Sequence, residues 1–187
     1  MTCPNSLAVL KKLAEGKITG NNLVGSIITI AQVAEESMDG TSGALYSYGL
    51  PSFYMIKYAF SLYCSIFFSA LAQGLQSQSD NTTTISAQHW SRALTAALAK
   101  LYTYTRARPP SRTLVDPLEA FIRTLAKDSA RLGAAVNAAA KAAEETKNID
   151  AKAGRSAYVE GARLKEQKIA DPGAWGVKVI LESLLGQ

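Results

Sequence analysis

Three short segments carry residue types that can hold an anionic ligand. Gly40-Thr41-Ser42-Gly43 pairs two glycines, which let a backbone approach a ligand closely, with two hydroxyl donors. Unpaired N–H groups and the positive dipole end of a following helix would add to that pull. Arg112-Thr113-Leu114-Val115-Asp116 places a guanidinium, a hydroxyl and a carboxylate at a loop-to-helix junction. Asp171-Pro172-Gly173 is a third helix start, and Gly154-Arg155 upstream of it offers a guanidinium for phosphate contact or purine stacking. Each segment also has a plain structural use. Gly-Thr-Ser-Gly makes a turn, Asp116-Pro117 reads as an N-cap with proline at the first helical position, and Asp171-Pro172 reads the same way.

Other chemistries lack material. The single histidine, His89, leaves no partner for a triad or a two-histidine metal site, and it reads as structural or solvent-facing. Cys3 and Cys64 lie far apart, form no metal-ligand spacing, and suit unpaired thiols in a reducing, cytoplasmic setting. The net charge of +5 suits an anionic ligand, but the basic residues are scattered, which argues against a nucleic-acid surface. Met1-Thr2-Cys3-Pro4 leads into an amphipathic segment rather than a secretory leader. The apolar run from Tyr58 to Ala72 is shorter than the roughly 20 residues a membrane span needs.

The elements that must position these segments are helices. With 48% hydrophobic and 19% charged residues, the 187-residue chain has the balance of one well-buried domain. Leu7, Val9, Leu10 and Leu13 predict an apolar face on a first helix stopped by Gly16, and a second helix is expected over Thr19 to about Met38. Thr82 to Thr84 reads as the cap of a helix over about 86–105, with Trp90, Leu94, Leu98 and Leu101 as its buried stripe. Pro109-Pro110 marks a loop, after which helices are expected over 114–126, the alanine-rich 129–147, 151–167, and from Asp171 onward. The class is all-α, an antiparallel bundle or closed ring of about six to eight helices.

Taken in order, the motifs become specific. Gly-Thr-Ser-Gly-Ala-Leu-Tyr (40–46), Arg-Thr-Leu-Val-Asp (112–116), Ala-Gly-Arg-Ser-Ala-Tyr (153–158) and Asp-Pro-Gly-Ala (171–174) follow one known pattern. The connecting text agrees at Ile30–Glu36, Ile66–Leu71 and Glu144–Lys147. The chain resembles the C-terminal, nucleotide-binding (DhaL-type) helical domain of the dihydroxyacetone (glycerone) kinases over nearly all of its length. That resemblance implies a barrel of eight antiparallel helices with ATP and magnesium at one end. It also implies a kinase of glycerol metabolism whose ketose sits on a separate substrate-binding domain, held through a histidine. Carried over, Thr41, Ser42 and Gly43 would meet the phosphates, and Leu114, with Thr113 nearby, would line the adenine pocket. Arg155 would reach the nucleotide, and Asp171, Pro172 and Gly173 would close the site. The implied partners are the nucleotide and the substrate domain, with a homodimer allowed.

Two departures from the family pattern bear on activity. The family places a Gly-Asp-Gly-Asp-Cys-Gly-like segment, whose aspartates hold magnesium, ahead of the helix matching Leu7–Leu13. These 187 residues contain none and read as a domain shortened at its N-terminus, so no phosphoryl transfer is expected from the isolated chain. An inert helical module that binds a partner or lipid is the alternative. The second departure is residues 48–65, which separate Ser47 from Ile66-Phe67-Phe68 where the family runs on directly. They hold four of the eight tyrosines and Pro51, and they read as a foreign insertion that breaks a buried helix.

Overall fold

The computed structural model describes residues 4–36, 52–78, 85–150 and 168–186, and among these the secondary structure is helical throughout. The helices are α1 (Pro4–Ala14), α2 (Leu23–Glu36), α3 (Ser52–Gln76), α4 (Ala87–Leu101), α5 (Val115–Lys127), α6 (Leu132–Glu145) and α7 (Pro172–Ser183), with a 3₁₀ turn at Thr146–Asn148. The all-α expectation holds. The backbone falls into two compact units, residues 1–104 and 105–187. No described helix is long and apolar enough to cross a membrane.

Among the described helices of the first unit, α1 packs on α2, α2 on α3, and α3 on α4. Its core holds Ile27, Ala31 and Val33 of α2, Phe67, Leu71, Ala72 and Leu75 of α3, and Ala93, Ala97, Leu98 and Leu101 of α4. Full burial of a leucine such as Leu75 or Leu101 contributes about 1.5–3 kcal/mol, an upper figure because the unfolded chain also hides some surface. Glycine decides how close α3 and α4 come. A Cβ on Gly74 would lie 3.1 Å from Ala93 Cα and 3.2 Å from its Cβ, so helix backbones meet where only small residues fit.

Local chemistry sets the helix ends. Gly16 takes the left-handed conformation (φ 69) that ends α1. The α2 helix starts later than Thr19, because Asn22 Oδ1 accepts from Gly25 N at 3.0 Å and caps it. Thr19 instead exchanges two 2.8 Å bonds with Ser26: its N–H donates to Ser26 Oγ, and Ser26 Oγ–H donates to Thr19 O. Thr82 to Thr84 lie outside the described residues. The cap seen on α4 is Ser86, in a reciprocal box with His89, whose Nδ1 accepts from Ser86 N at 3.0 Å. His89 is thus structural.

Two expectations need correction. The predicted apolar face of α1 is not core: Leu7, Leu10 and Leu13 are 65%, 58% and 53% exposed. The helix meets α2 along Ala8, Val9 and Lys12, which are half-buried, and that rotates the leucines outward. Residues 52–65 were expected to interrupt a helix. They are instead helical, continuous with Ile66–Leu71 through all 25 residues of α3, while Pro51 lies outside the described residues. Nothing in the segment after Ser52 is a proline or glycine until Gly74, so the helix has no reason to stop.

Among the described residues of the second unit, α5, α6 and α7 each touch the other two. Its centre is the alanine face of α6, where Ala135, Val136, Ala139 and Ala143 are at most 1% exposed, against Phe121, Ile122 and Leu125 of α5 and Ala174 and Leu181 of α7. Small side chains there bring the helix axes close, as the alanine run predicts.

The Gly74–Ala93 contact gives a direct test. Gly74→Leu should destabilise the protein by about 1–3 kcal/mol through overpacking. Urea unfolding followed by circular dichroism measures it, and an unchanged midpoint would show that α3 and α4 can separate without cost.

Candidate functional site

The candidate site lies in the second unit, where the loop before α5 meets the start of α7. Asp116 builds the first side. The sequence predicts a cap, yet Asp116 stands one residue inside α5, at the second helical position, with Leu114 in the cap position. Its buried carboxylate reaches back into the loop and takes four donors. Oδ1 accepts from Ser111 N at 2.9 Å, and Oδ2 from Thr113 N at 2.7 Å, Ser111 Oγ at 3.2 Å and Thr113 Oγ1 at 3.3 Å. Hydrogen bonds to a charged group are worth about 1.5–3 kcal/mol when buried, so this carboxylate fixes the loop. Thr113 Oγ1 also accepts from Val115 N at 3.2 Å, which ties down one of the helix's first N–H groups.

The second side is the start of α7. Asp171, buried, caps the helix through a 2.9 Å bond from Ala174 N to its Oδ2, with Pro172 at the first helical position, as the sequence predicts. Gly173 joins the two sides. A Cβ built there would lie 3.1 Å from Asp171 Oδ2 and 3.4 Å from Leu114 Cβ, so Gly173 and Leu114 form one continuous wall.

Residues absent from the predicted site hold these sides in place. Arg112 is 2% exposed at φ 58, and its Nη2 and Nη1 donate to the carbonyls of Ile169 (2.8 Å) and Ile149 (3.3 Å). Thr146, fully buried, accepts from Asp171 N at 2.9 Å and donates to Ala143 O at 2.6 Å. The sequence signal for Arg112 was its place in the motif, but nothing in it marked the side chain as internal. Thr146 appeared only as connecting text. Thr113, Leu114, Asp171, Pro172 and Gly173 are therefore brought together. Thr41, Ser42, Gly43 and Arg155 lie outside the described residues.

A recess of about 240 Å³, lined in part by Pro110, Asp116, Ala120, Arg123 and Ile149, shares Asp116 with the loop side of this site but none of Thr113, Leu114, Asp171, Pro172 or Gly173. It is smaller than the roughly 300–1,000 Å³ of ordinary small-molecule sites. Among the described residues no three His, Cys, Asp or Glu side chains gather as metal ligands. The carboxylates nearest the wall serve the backbone, Asp116 holding its loop and Asp171 its helix.

Charge joins α6 to α7. Glu144 receives Lys178 Nζ at 2.9 Å on one oxygen and Lys147 Nζ at 3.3 Å on the other, and Lys178 Nζ lies 4.0 Å above the Trp175 ring. The Lys178 hydrogen bond, then that of Lys147, holds the Glu144 carboxyl below the usual carboxylate range.

An all-helical domain with a loop–helix wall of this kind is the class that fold and site define. Residues 61–186 match the family described as "DAK2 domain". The chain is 38% identical over 185 residues to dihydroxyacetone kinase of Komagataella pastoris, which covers 96% of this chain and 27% of that protein. It is 39% identical over 160 residues to dihydroxyacetone kinase 2 of Saccharomyces cerevisiae, covering 83% of this chain and 24% of that protein. It is 34% identical over 157 residues to triokinase/FMN cyclase of Bos taurus, covering 80% and 22%. The chain belongs to the DAK2-domain family of dihydroxyacetone kinases and spans about a quarter of the length of these relatives.

The Glu144 pair makes a pH prediction. A carboxyl with a lowered native pKa stabilises the fold above its unfolded pKa and loses that contribution as pH falls through the native value. The melting temperatures of wild type and Glu144→Gln should therefore differ modestly at neutral pH, the pair being only part-buried and open to solvent on the Glu144 side, and converge from about pH 5 to about pH 3. A difference that stays constant across that range would mean the charge of Glu144 contributes nothing.

Proposed function

We propose that these residues are the nucleotide-binding part of a cytoplasmic dihydroxyacetone (glycerone) kinase of glycerol metabolism, with adenine lying against the wall of Leu114 and Gly173. The observation that carries this reading is the meeting of Thr113-Leu114 with Asp171-Pro172-Gly173, two segments more than fifty positions apart, at a glycine whose Cβ would fill the gap. A bare backbone beside an apolar side chain suits the flat, apolar face of a purine. The family resemblance adds Thr41, Ser42 and Gly43 on the phosphates and Arg155 on the nucleotide.

ATP fits the residues at the wall. Magnesium does not fit the described residues, whose nearby carboxylates are engaged with backbone, and the 187 residues contain no Gly-Asp-Gly-Asp sequence. When bound, magnesium supplies the charge that phosphoryl transfer needs. Assayed by itself, the 187-residue polypeptide binds nucleotide without transferring phosphate. The reading names a substrate-binding kinase domain as partner, and it leaves a homodimer open.

A second reading has its own support. Trp175, Val179, Ile180 and Leu184 leave an exposed apolar stripe on α7, which suits an inert module that binds a partner or lipid. Thermal melting separates the two. A ligand that binds only the folded state raises stability, by about 2.7 kcal/mol at a hundredfold excess over Kd. Millimolar ATP should raise the melting temperature of wild type but not of Gly173→Val, whose side chain would push Leu114 and Asp171 aside. No shift in wild type leaves the inert module.

We propose that residues 48–65, of which 52–65 are helical and 61–65 fall within the matched family span, are translated intron. Sequenced transcripts should mostly lack codons 48–65, and a message that retains them at high abundance overturns the proposal.

A further inference from the structure

Arg112 stands immediately before Thr113 and Leu114, yet the side chain is turned into the protein. It is 2% exposed, in the left-handed region at φ 58, and its Nε–H has no partner among the described residues. Each of these features disfavours an arginine. A left-handed backbone suits glycine, burial penalises a charge, and an unmatched N–H loses its water. What the position supplies in return is a planar fork on two carbonyls from different parts of the unit. Ile149 follows the 3₁₀ turn that ends α6, and Ile169 lies two residues before the Asp171 cap. Thr146 makes the second tie between the same two segments, through the N–H of Asp171.

We propose that Arg112 is a positioning residue for the base of a bound adenine nucleotide. Its fork, with the Thr146 hydroxyl, clasps the chain entering α7 to the end of α6 and to the loop before α5. The clasp fixes how Gly173 meets Leu114. Arg112 touches no ligand in this role; it acts through the wall. The inference rests on the nucleotide reading above and assigns the control of that wall to two residues outside it.

The test separates base contacts from phosphate contacts. Binding of ATP and of inorganic triphosphate to the 187-residue chain is measured by calorimetry for wild type, Arg112→Gly and Thr146→Val. Glycine keeps the left-handed backbone without strain, so R112G removes the fork alone. T146V removes the hydroxyl with little change in shape. In wild type ATP should bind more tightly than triphosphate, because the base meets the wall. R112G should weaken ATP by about tenfold, the equivalent of one or two hydrogen bonds, and leave triphosphate affinity unchanged. T146V should shift the ratio in the same direction by a smaller factor. A general loss of stability would weaken both ligands together, so a parallel loss or an unchanged ratio in a folded R112G overturns the inference. Should R112G fail to fold, an unchanged ratio in T146V overturns it instead. Wild type that binds no ATP, or binds it no more tightly than triphosphate, defeats the nucleotide reading and this inference with it. Wild-type preference for ATP that survives in the variants defeats the inference alone.

Discussion

The carbonyls of Ile149 and Ile169 both end at the guanidinium of Arg112, and the second compact unit is organised around that meeting. Each belongs to backbone that leaves or approaches a helix, where the regular ladder has no donor to offer. A carbonyl drawn partly out of water and left open costs free energy, and a side-chain fork satisfies two at once. The same arginine is part of the loop pinned by Asp116, so the loop before α5, the end of α6 and the start of α7 are set by neighbouring polar contacts. Remove the charge–carbonyl contacts and the three helices would still attract one another through apolar burial. The geometry of their ends would not be specified.

Packing does the complementary work. On α6 the buried positions are alanine and one valine, and at the α3–α4 crossing Gly74 faces Ala93. Small residues allow close axes, and close axes leave little room for adjustment, since interiors pack at crystal-like density. The large apolar residues are distributed unevenly by comparison. Leu75, Leu101 and Ile122 are core, whereas Leu7, Leu10 and Leu13 of α1 and Trp175, Val179, Ile180 and Leu184 of α7 face outward. Lys178 partly shields one of these by lying over the Trp175 ring while it pairs with Glu144.

Membership in the DAK2-domain family rests on a match across residues 61–186 and on relatives four times longer than the chain or nearly so. The kinase activity named for those relatives belongs to whole proteins. Among the described residues, Leu114 meets Gly173, and the polar contacts of Arg112 and Thr146 lie behind that meeting.

Much of this was legible in the residues. The helical class, the Gly16 stop, the Asp171-Pro172 cap and the close-packed alanine face follow from local chemistry, which acts between positions a few residues apart. Ordered motifs likewise group Thr113, Leu114, Asp171, Pro172 and Gly173 by resemblance, and the fold brings Gly173 against Leu114. Tertiary structure alone decided the rest. Periodicity gave α1 an apolar face but not the neighbour that would cover it, and its leucines point outward because α2 meets a different side. Asp116 looked like a cap and became a loop anchor, because the donors it serves curl back from Ser111 and Thr113. Arg112 looked like a ligand contact and became an internal clasp on carbonyls 37 and 57 positions away. A sequence shows which groups need partners; over such distances, only the folded backbone determines which partner each one finds.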